Sequence, residues 1–191
     1  MTHDHFVQLL LSDISSGYGA RMGRVVVENN LYATAIDLSI EGLPFPRSIP
    51  STATNRHKIA FRAAYALEHA FFIDMERFSP HIPFLIGAFS KAKNRSVHRH
   101  FGKITSTLLR KKRIVLPLEQ SSALAETAAL WLSDPKSKVA VKVLSFDLLS
   151  LLAPYLPWVS DLLPDAIGLL SNNPTPGIIA RLNRCPRETR F

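Results

Sequence analysis

The sequence has a single cysteine, Cys185, among its 191 residues. One thiol cannot form an intrachain disulfide or a cysteine-rich zinc site, which excludes a disulfide-stapled scaffold and a zinc finger. Sparse cysteine suits a reducing compartment, so we expect a cytoplasmic protein. Because Cys185 lies beside two arginines and just before a short tail, residues 186–191, we do not expect it to be a catalytic nucleophile.

Signals for β-strands are scarce as well. The chain has no Asn-Gly or Asp-Gly hairpin turn and no long apolar/polar alternation. With 8 glycines and 13 prolines it is neither collagen-like nor disordered in composition, and its 47% of apolar residues suffices for a sizeable core. The length indicates one compact domain or one small repeat array.

An uninterrupted apolar run that could cross a bilayer is also absent. The most apolar stretch, residues 139–170, contains three aspartates and three prolines, which a bilayer-spanning helix does not accept. The N-terminal "MTHDHFVQLLLSD" has neither the basic start nor the small-residue cleavage site of a secretory signal. We therefore expect buried helices over 139–170 and no membrane association.

Sequence patterns for catalysis, nucleotides and metals are missing too. There is no nucleophile elbow, Ser/His/Asp arrangement or paired-carboxylate motif. "SSGYGAR" at 15–21 lacks the lysine and the preceding strand of a nucleotide loop, so it predicts a turn and a helix start. His98 and His100 lie about 200° apart around a helix and cannot bind one metal from one face. We expect no cofactor, no metal and no enzymatic activity.

Positive charge, in contrast, is abundant and concentrated in the middle of the chain. The net charge is +8, and residues 50–115 hold 13 basic and 3 acidic residues. The segments on either side carry −2 and 0. Such a surplus attracts nucleic acid, anionic lipid or acidic proteins, although a surplus that serves only solubility has the same composition.

Apolar residues recur with helical spacing almost throughout. The predicted helices cover about 3–13, 20–28, 31–41, 56–73, 79–92, 96–109, 119–133, 137–153, 157–171 and 176–184. "KIAFRAAYALEHA" at 58–70 aligns with "KVAVKVLSFDLLS" at 138–150, a shift of 80 positions. "SVHRHFGKITSTLL" at 96–109 lies between them and aligns with the first of these segments at a shift of 37 positions. A spacing near 40 with two helices per unit is typical of HEAT and armadillo solenoids.

Three segments carry a family resemblance. "DPKSKVAVKV" resembles the turn and second helix of a HEAT repeat, and "NRHKIAFRAAYALEHA" and "NRSVHRHFGKI" resemble degenerate copies. Over about residues 17–185 the chain is similar to a family of small, uncharacterised bacterial HEAT-like proteins, best known among the Bacteroidota. Some relatives carry the label adenylosuccinate lyase, but the Ser-Ser-x-Met-Pro-x-Lys-x-Asn loop of true lyases is absent here.

The resemblance implies an all-α, right-handed superhelix of about four helix pairs in a single domain over residues 1–191. Residues 1–30 would form an N-terminal cap. The second helix of each pair would line the concave face, as in HEAT proteins. The family has no established catalytic residues, so the resemblance assigns none.

Candidate partner-binding residues follow from helix 96–109. Val97, Phe101, Ile104 and Leu108 form a narrow apolar stripe, and three cations lie on the opposite side, where solvent or a partner is expected. Cations on the neighbouring predicted helices and at 110–113 extend this set. The predicted partner-binding residues are Arg99, Lys103, Arg110, Lys58, Arg62, Lys138, Lys142, Lys111, Lys112 and Arg113.

The partner predicted for this basic face is an acidic protein or nucleic acid, and the competing role for the same cations is internal ion pairing. The alternative function is nucleic-acid binding, by resemblance to HEAT-like DNA alkylation repair proteins. Glycosylases of that kind hold a catalytic aspartate near aromatic side chains, so the resemblance implies a similar arrangement in this chain. Asp147 interrupts the apolar "VLSFDLLSLL", with Phe146 beside it; Asp161 and Asp165 are further acids, and Trp131 and Trp158 further rings. A buried aspartate suits catalysis or an ordinary ion pair. The sequence does not indicate an oligomeric state.

Overall fold

The computed structural model describes residues 1–12, 14–42, 46, 49–172 and 174–183. Their regular structure is entirely helical, which confirms the predicted all-α class. Cys185 and the tail lie outside the described residues. The helices are α1 (His3–Leu11), α2 (Tyr18–Glu28), α3 (Tyr32–Ser39), α4 (Ala53–Ile73), α5 (Met75–Phe78), α6 (Ile82–Phe89), α7 (Arg95–Arg110), α8 (Leu118–Ser133), α9 (Val139–Leu152), α10 (Pro157–Ser171) and α11 (Pro176–Leu182), with short 3₁₀ turns at Ser79–His81 and Ala153–Tyr155.

Local capping explains where the helix ends differ from the sequence prediction. Helix α4 begins three residues earlier than predicted, because the Thr52 hydroxyl accepts a hydrogen bond from the Asn55 amide. The short helix α5 was not predicted; it begins where the Asp74 carboxylate accepts from the Arg77 amide. Both caps satisfy amide groups that a helix start leaves without partners.

The chain divides into two compact units, residues 1–101 and 102–191, and the boundary falls inside α7. The single domain expected over residues 1–191 stays a prediction. No helix among the described residues combines the length and the apolar character needed to span a bilayer.

Helix α4 is the centre of the first unit. Helices α1, α2, α3 and α5 all pack against it. Its inward side is fully buried and rich in small residues, which lets neighbouring helices approach closely. A Cβ added to Gly23 of α2 would lie only 2.7 Å from the Cβ of His69, so glycine is required at this crossing.

In the first unit, α2, α4 and the start of α7 run in the same direction. From α2, Tyr18 meets Tyr65 and Gly23 meets His69, so residue numbers increase together along α2 and α4. Just before α7, the Asn94 side-chain amide donates to the His57 carbonyl oxygen at 3.1 Å. Further along, His100 of α7 contacts Glu68 of α4. The start of α7 is therefore parallel to α4.

Helix α9 is the centre of the second unit, in which α8, α10 and α11 pack against it. The second half of α7 runs alongside α9 in the same direction. A Cβ added to Gly102 would lie 3.3 Å from the Leu144 Cβ, and Arg110 reaches Asp147 farther along both helices. The short link between α8 and α9 makes these two helices antiparallel.

Candidate functional site

Helix α7 is more deeply buried than its sequence suggested. Val97, Phe101, Ile104 and Leu108 are fully buried, as their spacing predicts. The buried surface also takes in polar side chains outside this stripe: His98, His100, Thr105 and Ser106. The stripe is thus wider than expected. Only a thin strip of α7 meets solvent, with Arg99 and Arg110 exposed and Lys103 partly buried.

Arg62 requires a correction, because it does not face solvent with the other predicted partner-binding cations. It is 94% buried, with a relative exposure of 6%. Its guanidinium Nη1 donates to the carbonyl oxygens of Leu10 and Ser12, both at 2.6 Å. These carbonyls belong to the end of α1, where a helix leaves its last acceptors without intrahelical donors. Arg62 therefore stabilises the end of α1.

Arg110 has a divided environment. Half of its side chain is exposed, but Nη2 also donates to the Asp147 carboxylate at 3.1 Å. The Arg181 guanidinium lies 2.5 Å from the same carboxylate oxygen. Asp147 is buried, so the two arginines compensate a charge that is costly to remove from water.

This pairing bears on the glycosylase alternative. Asp147 is held by two guanidinium groups, which is the arrangement of a buried ion pair. Among the other candidate groups, Asp161, Asp165 and Trp158 are exposed, whereas Phe146 and Trp131 are buried. Among the described residues, no group of three or more His, Cys, Asp or Glu side chains is placed to hold a metal ion.

Burial gives Asp147 a pH-dependent effect on stability. It raises the pKa of the carboxyl above its ordinary value, and Arg181 and Arg110 oppose that rise. The folded state then binds this proton more tightly than the unfolded chain. The stability contribution is therefore full at low pH and is lost as pH rises through the raised pKa.

We expect Asp147→Asn to remove this dependence, because an amide does not titrate. The melting temperature of the variant relative to wild type should rise between about pH 3 and about pH 7. Differential scanning calorimetry across this range measures the difference. A constant difference would show that burial does not shift the proton affinity of Asp147.

The remaining predicted cations lie at the surface. Lys58 and Arg99 are exposed in the first unit. In the second unit Lys103 and Lys142 are partly buried and the rest exposed: Lys111, Lys112, Arg113 and Lys138. Lys142 also lines a cleft of about 250 Å³ together with Ser137, Val139 and Ile178.

The basic segment, residues 110–113, has a defined backbone. The Arg113 amide donates to the Leu108 carbonyl and the Lys112 amide to the Leu109 carbonyl, both within 3.0 Å. Lys112 has a φ of 52°, so α7 ends in a Schellman motif with lysine at the left-handed position that glycine favours. These cations are therefore presented by a hydrogen-bonded turn.

Sequence reasoning missed a cluster of aromatic rings in the first unit. Tyr65 of α4 lies at its centre. Its ring is 6.1 Å from Phe61 and 6.5 Å from Tyr18, with interplanar angles of 4° and 12°. His69 meets it edge-on at 4.8 Å, and His100 lies 5.5 Å away. The sequence contained a signal for this cluster, because Phe61, Tyr65 and His69 are spaced four residues apart and so lie on one side of α4, away from its alanines.

Charged groups surround this cluster asymmetrically. Glu68 is buried and bound to His100 Nδ1 at 2.5 Å, whereas Arg21 is exposed, with its guanidinium 5.7 Å from the centre of the Tyr18 ring. Arg62 lies 5.5 Å from the same ring. The carboxylate thus lies in the interior, and cations lie beside the rings.

Comparison with protein-family models, curated proteins and solved structures finds no match for this chain.

Proposed function

We propose that this protein is a non-catalytic scaffold that binds an acidic macromolecule through its basic surface, on a HEAT-like solenoid. Two contacts support the repeat architecture. Asn94 bonds to His57 in the first unit, and Arg110 bonds to Asp147 in the second, each across 37 residues. Parallel helices that meet one repeat apart are characteristic of solenoids.

One observation carries the binding function. Residues 90–118 contain nine lysines and arginines and no aspartate or glutamate. Eight of these nine side chains are exposed, and all but Lys103 belong to that group. Arg110 is paired with Asp147, and the net positive charge of the segment attracts a partner of opposite charge from a distance. A surface of this kind favours acidic partners.

Charge reversal at the end of α7 tests the proposal. We expect Lys111→Glu/Lys112→Glu to weaken binding of a labelled polyglutamate peptide and of a labelled oligonucleotide by about tenfold at about 50 mM salt. Fluorescence anisotropy measures both. Glutamate is compatible with the backbone at 112, because Glu41 adopts the same left-handed conformation at the end of α3, with a φ of 59°.

The matched control is Arg24→Glu/Lys136→Glu. It changes the net charge by the same amount at two exposed positions outside residues 90–118. We expect it to retain most of the affinity. If wild type binds neither polyanion, or if the two double variants bind equally, the proposed function is wrong.

A further inference from the structure

We infer that the second unit binds the surface of an anionic lipid bilayer through the segment that links α7 to α8. This lipid-binding segment, residues 111–118, has the sequence KKRIVLPL. It combines exposed cations with exposed apolar side chains. The inference goes beyond the proposed function, because an acidic macromolecule would use only the cations.

Exposure alternates along the part of the segment that lies between the two helices. Ile114 and Leu116 are partly buried, whereas Arg113, Val115 and Pro117 are exposed. Alternation with a period of two is the pattern of an extended chain, in which side chains two residues apart lie on the same side. The exposed cation and the exposed apolar side chains therefore share the outward side of the link.

The apolar side chains on this outward side contribute little to the core. Val115 is 96% exposed, and Leu118, the first residue of α8, is 68% exposed. A single exposed apolar side chain is ordinary at a protein surface. Here Val115, Pro117 and Leu118 are all exposed within four residues, directly after three exposed cations. This grouping, unlike a single exposed valine, matches the boundary between lipid head groups and acyl chains.

The cations of the segment favour a lipid surface that is anionic. Lys111 and Lys112 lie in the hydrogen-bonded turn that ends α7, and Arg113 follows them. Each basic residue near an anionic bilayer strengthens binding by about fivefold. Glu119, exposed in the first turn of α8, offsets one of the three charges, so residues 111–119 keep a net charge of +2.

A bilayer accommodates both kinds of side chain at once. Anionic head groups meet the cations, and the acyl boundary, entered to a depth of about 5–10 Å, takes up apolar side chains. Polyglutamate or a nucleic-acid backbone would pair with the cations and leave Val115 and Leu118 in water. The sequence-based prediction of no membrane association concerns a bilayer-spanning stretch. Contact with a lipid surface requires no span, and the inference revises that prediction.

Vesicle co-sedimentation tests the inference with wild type and Val115→Ser/Leu118→Ser. We expect wild type to bind vesicles of phosphatidylcholine with about 30% phosphatidylserine about tenfold more tightly than vesicles of phosphatidylcholine alone. The double variant keeps every charge and should lose about tenfold in affinity for the anionic vesicles. The matched control, Leu130→Ser/Val139→Ser, replaces the same residue types at exposed positions of the same unit and should bind as wild type does.

Tryptophan at position 115 reports insertion directly. The emission of Val115→Trp should move to shorter wavelength when anionic vesicles are added, because the indole leaves water for the lipid interface. Polyglutamate should cause no such shift. Leu130→Trp, at a position that is 71% exposed, is the control and should shift with neither ligand. Subtraction of the wild-type spectrum removes the emission of Trp131 and Trp158.

The outcomes for lipid and for acidic macromolecules are separate. If wild type binds anionic and neutral vesicles equally, or if Val115→Ser/Leu118→Ser binds anionic vesicles as its control does, the inference is wrong. An unshifted Val115→Trp spectrum on bound vesicles also overturns it. Val115→Ser/Leu118→Ser should bind polyglutamate as wild type does. Binding of polyglutamate without binding of vesicles would leave the proposed function standing and refute the inference alone.

Discussion

Replacing Arg62 by alanine is expected to lower the free energy of unfolding by about 3 kcal/mol. The substitution removes two short charge-assisted hydrogen bonds, to the carbonyls of Leu10 and Ser12. It leaves the end of α1, which has no basic residue in its own last turn, without a cation at its negative end. It also removes the contact of the guanidinium with the Tyr18 ring. Denaturant unfolding followed by circular dichroism measures the loss.

Two variants control this experiment. Lys58→Ala makes a comparable truncation on the same helix at an exposed position, and we expect a change within about 0.5 kcal/mol. Arg62→Lys retains the charge but loses the planar guanidinium, so its cost should be intermediate. Equal stabilities of Arg62→Ala and Lys58→Ala would show that the bonds to α1 contribute nothing.

The position of Arg62 shows the limit of reading function from spacing. Its place on a predicted helix neighbouring 96–109 put it among the cations expected to meet a partner. Its acceptors, however, are 50 and 52 residues away in sequence. Only the tertiary packing of α1 on α4 brings those carbonyls to the guanidinium. An exposed cation and a capping cation have the same local sequence pattern, so the pattern alone cannot distinguish them.

The helices themselves were predictable because their signals are local. Apolar periodicity over ten or more residues and a capping residue at the start are contained within the helix. Errors arose where two caps compete within a few residues. Ser96 is a good candidate N-cap for α7, but Asn94 takes the role by accepting from the Ser96 amide at 2.9 Å. Asn94 is fixed there by its bond to His57, a contact that sequence does not show.

The candidate site followed the same rule. The excess of cations in the middle third is a property of composition and could be located from sequence. The aromatic cluster of the first unit became recognisable only in the structure, because it joins rings of α4 to Tyr18 of α2 and His100 of α7, which are distant in sequence. The alanines of α4 are buried, and the partly exposed rings of Tyr65 and His69 meet α2 at Gly19 and Gly23.

The second large effect concerns Glu68, which is bound to His100 beside the aromatic cluster of the first unit. Glu68→Ala is expected to lower the free energy of unfolding by about 3 kcal/mol. The carboxylate and the His100 ring form a pair whose side chains are 6% and 1% exposed. Nε2 of the same ring has no hydrogen-bond partner among the residues that the structure describes. Without Glu68 the imidazole would be buried with neither nitrogen bonded, close to Phe61 and Tyr65.

Glu68→Gln separates the hydrogen bond from the charge. A glutamine oxygen can still accept from Nδ1, so we expect this variant to lose about half as much stability as Glu68→Ala. Glu28→Ala, at an exposed position of α2, controls for loss of one carboxylate and should change stability by less than about 0.5 kcal/mol. Denaturant unfolding at constant pH ranks the three. If Glu68→Ala is no less stable than Glu28→Ala, the buried pair does not hold α7 against α4.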